Sequence, residues 1–333
     1  MLTLGYKASA EQFGPRPLLE FALEAERRGL DSVAVSDHFQ PFRHTGGHAP
    51  AALPWLGALA VQSQRIRIGT SVSTPTMRLH PSMTAQAFAT LACLAPGRVW
   101  LGVGTGESLN EVPPLGIEWP KFSERLGRLR EAVELMRLLW TTERVSFEGR
   151  YYRTHRATVY DRPDTPPPIL IAAAGAKAAT FAGEAGDGYI TTSGKPRELY
   201  TETLLPALEQ GARDAGRDPA AQERLLEVKL SYDHDRERAI EDCRFWAALA
   251  LPAESKQGVD DPLELERLAA QEHVQAESRF IVTGDPAEVA DQVAPYVELG
   301  FRHLVFHSPA DDQSRFLQLF ADEVAPVLRD RFG

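Results

Sequence analysis

Short apolar runs of strand length alternate with helix-period segments from one end of the chain to the other, and this alternation limits the folds open to it. The runs cover residues 2–6, 32–36, 66–72, 99–103, 169–173, 188–191, 226–231 and 304–307. Between them the spacing predicts helices. One opens at Pro15, places Leu18, Leu19, Ala22, Leu23 and Ala25 on one side and stops at Gly29. Another covers about 120–140, and further helices are expected over 81–94, 175–185, 197–215, 236–248, 286–299 and 313–328. Eight strands with helices between them match the count of a closed parallel barrel. A doubly wound open sheet is the competing arrangement, and strand counting alone does not exclude it. The reading is therefore α/β, a (β/α)8 TIM barrel with residues 1–333 as a single domain. Two insertions break the alternation. Residues 144–168 read as a hairpin turning at Glu148 and Gly149 followed by a proline-rich connection; residues 249–283 hold a charged helix and the apolar run 280–282.

In such a barrel the site is built from the loops after the strands. Strand two is followed by SDHFQPF, strand three by SVSTPT, strand four by GVGTGESLN, strand five by Ala174 and Gly175, and strand six by TSGK. Five successive strands thus end in small, hydroxyl-bearing or ionisable residues. The pair Asp37-His38 could do no more than cap the next helix. The functional reading is that the His38 imidazole moves a proton near neutral pH while Asp37 orients it or meets a cofactor. Glu107 follows a glycine-rich strand end with room for a flat ligand, and a carboxyl enclosed there could act as acid or base. The run Gly102-x-Gly104-x-Gly106 lacks the spacing of a dinucleotide fingerprint, and the first βα turn has nothing like one. His38, His44 and His48 sit in a loop with a proline and two glycines, without HExxH or paired cysteines, so no metal is expected.

Composition narrows the partners. The net charge of −10 would repel nucleic acid and anionic membrane, so neither is expected, and an anionic substrate would need a local basic cluster. No run of ~18 apolar residues is present, and the first residues lack a signal-peptide pattern, which points to the cytoplasm. Cys93 and Cys243 are expected to be two reduced core thiols.

The segments GYKASAEQF, SDHFQPFRHTGGHAP, GTSVSTPT, LGVGTGESLNE, AGDGYITTSGK, RFWAALAL and HLVFHSPADDQSRFL closely resemble the F420-dependent glucose-6-phosphate dehydrogenases of the bacterial luciferase-like superfamily. The resemblance runs from the first strand to the last helix. It implies coenzyme F420, an 8-hydroxy-5-deazaflavin, as cofactor, no metal, and a homodimer acting on a small sugar phosphate. It implies an acid–base pair of His38 and Glu107, with His38 as the base. Asp37, Ser71, Val72, Thr74, Thr105, Asn110, Ala174, Gly175 and Ala178 would line the deazaflavin and its tail. A non-proline cis peptide is implied between Ser71 and Val72. Thr192, Lys195, Lys256 and Arg279 would hold the substrate phosphate, a donor set suited to a dianion. These enzymes typically carry tryptophan where this chain has Phe42, a substrate-side residue, so fructose or mannose 6-phosphate competes with glucose 6-phosphate as substrate. Hydride transfer from the sugar's C1 to C5 of the deazaflavin is the implied reaction, giving the lactone. The alternatives are another F420-dependent alcohol dehydrogenase, an FMN-dependent luciferase-like monooxygenase, and a deazaflavin-binding protein without catalysis.

Overall fold

The computed structural model describes residues 2–256 and 258–333. Eight parallel strands close into a barrel: β1 (Thr3–Ala8), β2 (Ser32–Val35), β3 (Arg67–Thr70), β4 (Val99–Val103), β7 (Ile169–Ala172), β8 (Gly188–Thr192), β9 (Glu223–Tyr232) and β11 (His303–His307). Pairing of β8 with β9, from Gly188 opposite Glu223 to Thr192 opposite Glu227, seals the ring and rules out the open sheet. Strands 5 and 6 (Val145–Glu148 and Arg153–Ala157) form a separate antiparallel hairpin, and β10 (Ile281–Thr283) adds to the outer end of β9.

The helices are α1 (Pro15–Arg27), α2 (Ala52–Gln62), α3 (Pro81–Leu94), α4 (Ser108–Leu115), α5 (Phe122–Thr141), α6 (Ala176–Ala185), α7 (Leu205–Asp214), α8 (Arg236–Asp242), α9 (Ala253–Lys256), α10 (Pro262–Gln271), α11 (Pro286–Glu298), α12 (Gln313–Leu319) and α13 (Ala325–Phe332). Their apolar stripes pack on the outside of the sheet, as α1 does with Leu18, Ala22 and Ala25. Inside the barrel a second, smaller core joins Ala34, Trp100, Leu170, Ile190, Leu225 and Val305. The Trp100 ring fills this interior, and Val72 and Ala172 cap it at the carboxyl end of the strands. The barrel is therefore plugged, and any ligand must sit above that plug.

Several sequence expectations need correction. The third strand stops at Thr70 instead of 72, and a cis peptide joins Ser71 and Val72 directly after it. Strand β9 is longer than 226–231, gaining backbone partners from β8, β11 and β10 in succession. Helices α2 and α4 were not foreseen: α2 lacks a charged face, and α4 carries Pro113 and Pro114. The helix expected over 197–215 begins as a π-helical turn at Leu199–Leu204, and that over 236–248 becomes 3-10 at Cys243–Ala250. The last helix is interrupted by a π-helical turn, Phe320–Val324, and extends to Phe332. Both cysteines are free, but only Cys243 is in the core, where burial pushes its thiol up to about 12; Cys93 is exposed.

Candidate active site

At the mouth of the barrel a cavity of about 370 Å³ opens above the plug. Ten of the residues singled out in the sequence line it: Asp37, His38, Ser71, Val72, Thr74, Thr105, Glu107, Asn110, Ala174 and Thr192. They come from the ends of five strands, so only barrel closure brings them together. Gly175, Ala178, Phe42, Lys195, Lys256 and Arg279 are not part of that lining. Phe42 adjoins it, its ring 5.2 Å from that of His38. Gly175 and Ala178 belong to the start of α6, directly after Ala174.

Each wall has a physical reason for its position. Asp37 is buried and accepts a 2.6 Å hydrogen bond from Ser73 Oγ, while Arg78 donates to its carbonyl at 2.9 Å. Arg78 also grips the buried Glu111 of α4 at 3.0 Å. Asn110 Oδ1 accepts from the backbone N–H groups of Phe39 and Gln40 at 2.8 and 3.1 Å. The first turn of α4 therefore carries Glu107 at its start and pins the loop that presents His38. Gly106, at φ +83°, makes the sharp turn ahead of Glu107; a side chain there would meet Thr74 Cγ2 at 3.0 Å. Glu107 itself corrects an expectation. It stands exposed at the rim, as the residue that caps the start of α4, and is not enclosed.

His38 faces a buried carboxylate that the sequence reading missed. Its Nδ1 lies 3.1 Å from Glu11 Oε1, close enough for ion pairing but off the line of a hydrogen bond. Glu11 Oε2 is fixed by Ser36 Oγ at 2.6 Å. A chain of aromatic contacts runs from His38 through Phe42 to the buried Trp246 and His307, with Trp246 and His307 ring centroids 4.4 Å apart.

Within electrostatic reach of Glu107 the charge turns positive. Burial first, and then the Arg279 guanidinium, lowers the Lys195 pKa; burial, Arg279 and Lys195 lower that of Lys256, against the pull of Glu107. These cations are thus within electrostatic reach of one another and of the cavity. Deeper in, Glu227 borders the cavity with Lys7 Nζ at 2.9 Å and Lys229 Nζ at 3.5 Å. Burial would raise the Glu227 pKa, but Lys7 and Lys229 hold it far below the usual carboxylate value. The Lys7 ammonium also donates to the Ser71 carbonyl. Sequence reasoning passed over these groups because they lie within strands, although the alternation in LLEVKLS puts Glu227 and Lys229 on one face.

A closed parallel barrel with ionisable groups lining one cleft at its carboxyl mouth has the architecture of a (β/α)8-barrel enzyme. The chain belongs to the luciferase-like family: the description "Luciferase-like monooxygenase" matches residues 3–303. It is 58% identical over 333 residues to the F420-dependent glucose-6-phosphate dehydrogenase of Nakamurella multipartita, covering 100% of this chain and 98% of that protein. The enzyme of the same name from Beutenbergia cavernae is 58% identical over 332 residues, covering 99% and 98%. Among solved structures, an F420-dependent secondary alcohol dehydrogenase in complex with an F420–acetone adduct superposes with a TM-score of 0.92. It is 35% identical, with 99% of each chain covered.

Proposed function

We propose that this chain is a single-domain F420-dependent sugar-6-phosphate dehydrogenase that oxidises glucose 6-phosphate, or a related hexose 6-phosphate, at C1 to the lactone. The observation that carries the reading is one cavity lined by His38, Glu107 and Thr192, with Lys195, Lys256 and Arg279 within electrostatic reach of one another and Lys256 within reach of Glu107. Full-length relatives 58% identical and named for this reaction support it.

The cavity suits a deazaflavin. Its floor is made by Val72, Gly104, Ala172 and Ala173, small or apolar residues that leave a flat slot; a side chain on Gly104 would lie 2.9 Å from Val72 Cγ2. Thr74, Thr105 and Asn110 offer polar contacts at the edge, and Ser71 with Val72 forms a ledge. A Cβ on Gly175 would meet nothing within 4 Å, so open space lies ahead of the α6 N-terminus. The free N–H groups of that first turn, near Ala174, Gly175 and Ala178, suit the phosphate of the cofactor tail. Bound there, coenzyme F420 supplies a hydride acceptor, and no metal is needed.

The protein's own part is proton movement and orientation. With Nδ1 turned to Glu11, His38 keeps Nε2 for the proton of the anomeric hydroxyl, which must leave as C1 gives up its hydride. Asp37, locked by Ser73, fixes the loop that carries that ring. Glu107, open to the rim, would hold a proton at its carboxyl beside the deazaflavin and serve as the acid of the pair. Thr192, Lys195, Lys256 and Arg279 grip the phosphate, and Phe42 packs beside the sugar. The reading extends to a homodimer in the cytoplasm, with light scattering expected to give twice the 36.7 kDa chain mass; among the described residues no helix is long and apolar enough to cross a membrane.

The test mixes purified protein, oxidised F420 and a panel of hexose 6-phosphates, and follows loss of the cofactor's visible band. Bleaching with a phosphorylated sugar and none with its unphosphorylated form is the expected result. Bleaching only with simple secondary alcohols, or oxygen uptake with reduced FMN, would transfer the assignment to those reactions.

A further inference from the structure

Lys229 lies two residues past Glu227 on β9, so strand alternation turns both side chains toward the barrel interior. Register places Lys229 opposite His307 on β11, and Leu230 opposite Ile281, two residues beyond Arg279. The Lys229 side chain is 8% exposed, and its neighbouring carboxylate oxygen, Glu227 Oε1, is 3.5 Å away. That carboxylate is already held by Lys7 at 2.9 Å. Two buried ammonium groups therefore share one carboxylate. Beside them His307 is buried with neither ring nitrogen hydrogen-bonded, and Arg279 Nε is a buried donor without an acceptor. Burial, offset by Glu227 and reinforced by Arg279, lowers the Lys229 pKa, and Lys256 in turn senses Lys229. Burying positive charge without full compensation is expensive, and orphaned polar atoms add to the penalty. An excess of cations and orphaned groups around Glu227, which borders the cavity, points to an anion that arrives with the substrate.

We propose that Lys229 is a fourth cation of the substrate-phosphate site, set at its floor, with Glu227 and Lys7 as the brace that holds its ammonium upright. This deepens the sugar-phosphate reading and rests on it. A phosphate dianion has three terminal oxygens, each able to accept more than one hydrogen bond, so it can take a further donor beside Thr192, the two lysines and the arginine. Lys229 meets it from below, where the cation is least hydrated and its charge least screened.

The experiment compares the wild-type protein with Lys229→Met, which removes the charge at similar length and leaves the Lys7–Glu227 pair intact, and with Lys229→Arg. Inorganic phosphate is the probe, read by the rise in melting temperature across a concentration series. Lys229→Met is expected to bind phosphate about tenfold more weakly, with Lys229→Arg close to wild type. KM for the sugar phosphate should rise by the same factor, while F420 affinity, followed by fluorescence quenching, stays within about twofold. Equal phosphate affinity in wild type and Lys229→Met overturns the proposal, whether or not any sugar phosphate turns over. If Lys229→Met weakens phosphate but the wild type oxidises no hexose 6-phosphate, the anion site stands and the substrate reading falls. Should the methionine variant fail to fold, Lys229→Gln carries the same comparison.

Discussion

Strands β9 and β11 carry a glutamate–histidine couple at each end, and the two couples are built in opposite ways. At the amino end, Glu223 Oε1 lies 2.6 Å from His303 Nδ1, and His303 Nε2 lies 2.6 Å from Ser32 Oγ. Arg67 completes the group by gripping both Glu223 oxygens at 3.0 and 2.9 Å. Every polar atom of the histidine is answered. At the carboxyl end, Glu227 and His307 are 3.9 Å apart, and neither His307 nitrogen has a hydrogen-bond partner. Burial drives His307 down to about 3, so this ring is neutral, with a donor and an acceptor both unused. A closed network fixes strand register and contributes stability. An open one keeps bonding capacity for a ligand at the price of stability, and it stands at the end of the barrel where catalysis is located.

The largest effects should come from the mouth. His38→Ala and Glu107→Gln are each expected to lower kcat/KM by about 10²–10⁴-fold, the usual contribution of a general acid or base. F420 binding and melting temperature should change little. Near-normal turnover in either variant removes that residue from the acid–base pair. Glu11→Gln is the next step down, a loss of about tenfold in kcat with an altered pH profile, since it leaves the ring in place but takes away its facing charge. A KM change with the profile intact would assign Glu11 to packing alone.

The amino end should respond in the other currency. Glu223→Gln is expected to lower unfolding free energy by about 2 kcal/mol in denaturant titrations, leaving kcat and KM of the folded enzyme unchanged. Burial would raise the Glu223 pKa, but hydrogen bonds from His303 and Arg67 pull it down to about 2, from an ordinary value of 4.5. Its contribution is therefore complete above about pH 4.5 and is lost as pH falls toward 2. Wild type and variant should converge over that acid window. A kinetic defect in Glu223→Gln would break the division between the two ends.

Much of this plan could be read along the chain. The strand count and the barrel follow from local runs, and the loops that hold the ten cavity residues follow from the rule that barrel sites gather after strands; which residues of those loops line the site is what the family resemblance implies. Helix α2 escaped because Pro54 and Gly57 interrupt a segment with no charged face to mark its period. Glu11 escaped for another reason: its partners His38 and Ser36 are brought to it only when β1 and β2 pair. Lys7, Glu227, Lys229 and His307 sit on three strands and become a cluster only through barrel closure. Their inward parity was visible, but the charge imbalance among them is a property of the closed ring.

The smallest expected effect tests whether every unfavourable charge at the mouth serves the ligand. Asp242 on α8 faces Asp311 and Asp233, residues that follow β11 and β9; burial, Asp311 and Asp233 raise its carboxyl to about 6. A folded-state pKa above the unfolded 3.8 means that ionisation disfavours the fold. The penalty is absent below about pH 3.8, grows as pH rises through about 6, and is complete above it. Asp242→Asn should therefore stabilise by about 1 kcal/mol at pH 7.5 after solvent screening, and by almost nothing at pH 4. Melting curves at the two pH values check it; an equal gain at both would mean packing and not charge. A gain at pH 7.5 alone, with unchanged KM for sugar phosphate, would confine ligand-directed imbalance to the inner face around Lys229 and His307. A gain accompanied by weaker substrate binding would extend it to the outer rim.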